Sequence, residues 1–216
     1  AETGKYIYSD NDFIFLGKIV EAVSGQTLDE YAKTTFYTPL GLTTTGFKPR
    51  ERFTLNRIIP TEREKNFRQQ LLRGDVHDPG AAMFGGVAGH AGLFSNASDL
   101  AKLGQMLLQG GRYGGYRYYK PETINEFTRK QFDKSRRGLG WDKPVQSDWN
   151  SPTSAKASPK TFGHTGFTGT CLWVDPEFNL VYIFLSNRVH PDRNSKLISA
   201  NIRSRIQDVI YESIFA

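Results

Sequence analysis

The sequence predicts an α+β domain, and three observations carry that prediction. Apolar residues recur at helical spacing in several segments before about residue 160, the pattern turns extended beyond it, and the chain closes on a long helical stripe. Helices followed by antiparallel strands under a terminal helix is the order of an α+β sandwich. The 216 residues, 38% hydrophobic and 13% aromatic, suffice for a core of ordinary domain size.

The first helix is predicted from Phe13, Leu16, Ile19, Val20 and Val23, with Gly25 as its stop. Thr27 and Glu30 have capping-box spacing, which starts a second helix running to about Phe36 and broken at Pro39-Leu40-Gly41-Leu42. Residues 43–94 lack a sustained apolar period, and Pro60, Pro79 and many glycines predict long loops with short elements. Within them, the run from Gly80 to Gly92 is so rich in small residues that close backbone packing is its expected role. Gly85 and Gly86 are not followed by the Gly-Lys-Ser/Thr of a phosphate loop.

Leu100, Leu103, Met106 and Leu107 mark an amphipathic helix entered through Ser98-Asp99 and closed by Gly110-Gly111. Pro121-Glu122 opens another, with Ile124, Phe127 and Phe132 expected inward. Residues 146–160 are polar and Ser/Pro-rich, hence a loop. Strands follow at 161–165, 170–175 and 180–186, the last two joined by a turn at Pro176-Glu177-Phe178-Asn179. Ile198, Ile202, Ile206, Val209, Ile210 and Ile214 form the stripe of a terminal helix starting near Asn194-Ser195. No repeat or linker divides the chain, so residues 1–216 read as one domain: 1–160 mostly helix and loop, 161–216 strands and terminal helix.

The formal net charge of +6 is spread along the chain, with 22 acidic residues among 28 Lys and Arg. Its densest basic stretch is Arg129-Lys130 with Lys134-Ser135-Arg136-Arg137; without a zinc-finger, helix-turn-helix or RNA-recognition signature it reads as a solvated face, and no nucleic-acid partner is expected. Nor does any apolar run approach the roughly 18 residues of a membrane span. Cys171 is the single cysteine, which excludes an internal disulfide; its apolar setting predicts a buried small hydrophobe. His77-Asp78 and His90 are of types that bind zinc, but no His-Glu-x-x-His or other close pair occurs, so neither metal nor cofactor is expected. His190, beside Pro191 and Asp192, is expected in a surface loop.

The stretch from Tyr6 to Gly17 resembles the second motif, Tyr-x-Asn, of class C β-lactamases and related esterases and peptidases, with Tyr8-Ser9-Asp10 in its place. The likeness continues through Val23-Ser24-Gly25, Pro39-Leu40-Gly41-Leu42 and the Gly86–Ser95 run leading into Asp99-Leu100-Ala101. It ends on His164-Thr165-Gly166, which matches the family's third motif, Lys/His-Thr/Ser-Gly. The resemblance implies a β-lactamase/transpeptidase-like fold in which a serine attacks a carbonyl, needing a base and oxyanion donors. Tyr8 would relay the serine's proton and Asp10 would bind substrate or the motif lysine. His164, Thr165 and Gly166 would line the substrate, and the Phe167 backbone N–H would steady the oxyanion. Asp10 in place of Asn removes a donor and adds charge, while histidine in place of lysine removes a permanent cation; both favour an ester or peptide substrate over a β-lactam.

The family's first motif, Ser-x-x-Lys, is missing: every serine lacks Lys three residues on, and Thr153 with Lys156 has the spacing but stands in the Ser/Pro-rich loop. The chain is therefore expected to be the C-terminal part of an exported, periplasmic or secreted bacterial serine hydrolase. It would be inactive alone and would need the N-terminal segment of the same domain as its partner. The alternatives are a non-catalytic module holding peptidoglycan or peptide, or the accessory domain of a family 3 β-N-acetylglucosaminidase-type glycosidase.

Overall fold

The computed structural model describes residues 6–145 and 151–215, so residues 146–150 of the predicted loop lie outside the described residues. Two compact units divide the chain: Ala1–Asp99 with Val189–Arg193, and Leu100–Arg188 with Asn194–Ala216.

In the first unit, α1 (Asp10–Ser24) ends where Gly25 turns left-handed at φ 70°, its N–H bonded to the Glu21 carbonyl. Thr27 precedes α2 (Leu28–Ala32) without a side-chain cap; the Leu28 N–H instead donates to Glu21 Oε1 at 3.1 Å, so the capping box predicted from spacing does not form. The helix continues as a π turn over Lys33–Tyr37. Gly17 is the buried residue of α1 because the glycine-rich run crosses there. A Cβ on Gly89 would stand 2.0 Å from the Phe13 carbonyl oxygen, so only glycine permits this approach. The small-residue run thus packs backbone against helix, as its composition predicts. By contrast, the stripe that reveals α1 in the sequence is open to solvent, with Leu16, Ile19 and Val23 at 51%, 55% and 84% exposure.

Further along, β1 (Glu62–Arg63) pairs antiparallel with β2 (Leu71–Leu72). The turn between them closes on the Glu64 carboxylate, which accepts the backbone N–H groups of Asn66, Phe67, Arg68 and Gln69. Buried Glu62 pairs with His77 and, at 2.9 Å, with Arg193. Next come α3 (Pro79–Met83), capped by the Asp78 carboxylate on the Ala81 N–H, and α4 (Ala97–Leu108). Asn96 Oδ1, rather than Ser98-Asp99, caps α4 by accepting the Asp99 N–H, which leaves the buried Asp99 carboxylate for the Thr44 and Thr45 N–H groups at 2.7 and 2.9 Å.

Glu64 yields a pH prediction. Its carboxyl is held down to about 2, first by the Arg68 N–H and then by that of Phe67. A lowered folded-state value contributes stability above the ordinary 4.5 that is lost as pH falls toward 2. Urea midpoints measured from pH 5 to pH 2 should therefore fall more steeply in the wild-type protein than in Glu64→Gln, and parallel curves would refute the assignment.

In the second unit, β3 (Arg112–Tyr113) and β4 (Tyr116–Arg117) make a tight hairpin, followed by α5 (Pro121–Thr128). The main sheet is antiparallel, in the order β5 (Phe162–Thr165), β6 (Cys171–Asp175), β7 (Leu180–Phe184), within the three predicted strands. Gly104 of α4 lies on this sheet, where a Cβ would meet Val181 Cγ1 at 2.5 Å. Cys171, Trp173 and Tyr182 form a core cluster with Phe184 and Ile210 packed on it, and burial pushes the Cys171 thiol up to about 11.

One inward assignment and one helix start differ from the sequence expectation. On α5 the buried residues are Ile124 and Thr128, whereas Phe127 and Phe132 are 47% and 73% exposed. The helix stops at Thr128, so Phe132 never joins its face. The terminal helix α6 (Ile202–Phe215) starts well after Asn194-Ser195; its fully buried residues are Gln207 and Tyr211, and of the isoleucine stripe Ile210 packs on the core cluster while Ile206, Val209 and Ile214 are 39%, 63% and 46% exposed. Its polar side is the anchored one. Gln207 Oε1 accepts the Ser154 N–H at 2.9 Å, and the Tyr211 hydroxyl donates to buried Asp175 at 2.6 Å.

Candidate active site

The predicted site residues fall on both units, each of which is described by itself. In the first, Tyr8 is 61% exposed and leads through Ser9, in extended backbone at φ −140°, into Asp10, the first residue of α1. The motif therefore presents its tyrosine and carboxylate at the opening turn of the helix, with Asp10 exposed. Among the described residues, the one grouping of three metal-ligating side chains is Asp10, Asp78 and His90.

In the second unit, His164 and Thr165 end β5, and Gly166 opens the turn to β6, closed by the Gly166 N–H on the Thr170 carbonyl at 2.7 Å. His164 Nδ1 lies 2.8 Å from the Thr165 carbonyl oxygen, and Nε2 lies 2.8 Å from Arg137 Nη1. A carbonyl only accepts and a guanidinium only donates, so these partners select the neutral ring with its proton on Nδ1. Phe167 sits in the turn with its ring 56% exposed, 4.6 Å from the Arg188 guanidinium, which also donates to the Phe167 carbonyl at 2.6 Å.

The structure explains how Arg137 reaches this histidine. Asp142 and Gly163 exchange two backbone hydrogen bonds at 2.7 and 3.1 Å, which lays residues 136–143 beside β5. The Asp142 side chain, 2% exposed, takes Arg136 at 2.6 and 3.0 Å and Arg137 at 3.4 Å. Sequence reasoning placed these arginines in a solvated basic run. No local signal could have found them, because the contact spans 27 residues and depends on a single bridge.

Gly163 and Gly169, which flank the third motif, each have a packing reason to be glycine. A Cβ on Gly163 would stand 2.1 Å from the Leu172 carbonyl oxygen, and Gly169 adopts φ 109° against Ser186 Oγ. Thr153 is buried at 2% exposure and Lys156 pairs with Glu212 at 2.6 Å, in a segment of turns that offers no helix for a nucleophile and its lysine.

The chain belongs to the β-lactamase family, whose profile matches residues 2–205. Among its relatives, a Salmonella gallinarum protein named "Putative D-alanyl-D-alanine carboxypeptidase" is 39% identical over 210 residues, covering 92% of this chain and 49% of that protein. A protein of the same name from Salmonella schwarzengrund matches at the same identity and coverage. The chain thus spans about half the length of the curated relatives it matches. Among solved structures, a β-lactamase from Mycobacterium bovis aligns at TM-score 0.66 and 21% identity, covering 96% of this chain and 64% of that one. Simvastatin synthase from Aspergillus terreus aligns at 0.63 and 18%, covering 99% and 56%. At such identities these likenesses bear on the fold, which is β-lactamase-like as expected.

Proposed function

We propose that this chain is the Tyr-motif and His-Thr-Gly part of an exported serine hydrolase that removes a residue from the free carboxyl end of a cell-wall peptide. The observation that carries the reading is the Arg137 guanidinium on His164 Nε2. Histidine at the third motif gives up the cation that lysine would provide, and Arg137, 21% exposed and permanently charged, restores one beside it. A cation there suits a substrate ending in a carboxylate, as the name of the 39% identical relatives describes.

In this mechanism a serine from polypeptide outside this chain attacks the carbonyl, and Tyr8 takes its proton and hands it to the leaving amine. The Phe167 N–H steadies the oxyanion, Asp10 holds the substrate or the motif lysine, and Thr165 and Gly166 line the scissile end. The exposed stripe Leu16, Ile19 and Val23 on α1 and the exposed Ile206 and Val209 on α6 support a further segment of the same domain, since apolar faces of this kind are ordinarily covered.

Fluorescent penicillin tests the reading. The chain alone should remain unlabelled, whereas the chain joined to the part of its relatives that it does not match should carry one label on a serine of that part. Labelling of the chain alone would overturn the assignment of the nucleophile. Peptide binding by the joined protein with neither label nor turnover would mark a binding module instead.

A further inference from the structure

We propose that Asp10, Asp78 and His90 form a binding site for one divalent cation of the zinc class. All three belong to the first unit, from three separate segments: the opening turn of α1, the residue before α3, and the glycine-rich run. One ligand atom from each lies within 4.8 Å of the other two, and His90 Nε2 is 2.8 Å from Asp78 Oδ1. Sequence spacing hid the site, because the two ligands nearest in the chain are twelve residues apart and the third is the motif aspartate.

Several features point to an ion beyond the proximity of acids. The His90 side chain is 6% exposed, so its ring is fixed with Nε2 toward Asp78 Oδ1, and Nδ1, on the far side of the ring, has no hydrogen-bond partner among the described residues. The carboxylate of Asp10 is exposed, with no hydrogen bond or ion pair to other described residues, and is free to turn toward the pair. Gly80 keeps the adjoining space open: a Cβ there would come within 3.1 Å of Asp78 Oδ1 and 3.8 Å of His90 Nε2.

Two carboxylates and one imidazole suit zinc and its neighbours, with metal–ligand bonds of about 2.0–2.2 Å. Ligand atoms on such an ion sit roughly 3–4 Å apart, so a small rotation of the exposed Asp10 side chain completes the set. Three protein ligands leave a position open to solvent or to a ligand. The bound ion would tie the opening of α1, and with it Tyr8-Ser9-Asp10, to the glycine-rich run. None of this depends on the hydrolase reading.

Titration calorimetry of the chelator-treated protein with zinc chloride tests the proposal. The wild type should take up one saturable equivalent, with a rise in thermal midpoint from mass action. Asp10→Asn should weaken binding by at least about tenfold. Because Asp10 is exposed, that variant should fold as the wild type does, which circular dichroism checks. His90→Gln, which fills the buried site without an imidazole, should weaken binding similarly. No saturable uptake by the wild type would overturn the site. Undiminished affinity in Asp10→Asn would place the ion elsewhere, for instance on Glu62 and His77, and overturn it equally.

Discussion

On the proposed function, in the chain joined to the part of the Salmonella gallinarum relative that it does not match, Tyr8→Phe should lower kcat for a peptide ending in D-Ala-D-Ala by about 10²–10⁴-fold, with little change in KM. That range is the usual contribution of a positioned proton-transfer group. Phenylalanine keeps the ring and loses only the hydroxyl, and at 61% exposure the side chain has little packing to lose. A fall in kcat with unchanged folding stability therefore reports chemistry, and steady-state kinetics with a urea denaturation curve on the same preparation separates the two. Turnover within threefold of wild type would remove Tyr8 from the proton path.

The helices, strands and both motifs were legible because they rest on local patterns. β5, β6 and β7 announce themselves through β-branched and aromatic residues bounded by turn formers, and α1 through a 3.6-residue period closed by Gly25. Which face of a helix is buried was not legible. α6 carries two rows, an isoleucine and valine row and a row through Gln207 and Tyr211. The second is buried because the Ser154 N–H and the Asp175 carboxylate hold it, partners 53 and 36 residues away. Periodicity reveals a stripe but says nothing of what lies opposite, and on α1 the stripe faces solvent among the described residues.

The candidate site divides in the same way. Tyr8, Asp10 and His164 were singled out as candidates from short motifs, whereas the groups that lie beside Asp10 and His164 arrive through contacts with no sequence period. Arg137 reaches His164 by the Asp142–Gly163 bridge, and Asp78 with His90 comes near Asp10 because Gly89 lets a loop lie on α1. The departures from the family pattern, Asp for Asn and His for Lys, are where those long-range partners gather. An altered first ligand or cation changes what its surroundings must supply, and only the fold shows the supplier.

For the histidine that supplier is Arg137, and its removal carries the second large expectation. Arg137→Ala in the joined protein should raise KM for peptides with a free terminal carboxylate by about 10–100-fold, the loss of a charge-assisted hydrogen bond of about 1.5–3 kcal/mol. The same peptides capped as C-terminal amides should be nearly indifferent to the change, and Arg137→Lys should recover part of the loss because it keeps charge without the guanidinium fork. A second role competes with this one: Arg137 donates to Nε2 and so holds His164 in its Nδ1–H form. Were positioning of the ring its sole task, kcat would fall and free and capped peptides would suffer alike. The split between KM and kcat across the two peptides decides between the roles, and equal effects on both peptides would withdraw carboxylate recognition from Arg137.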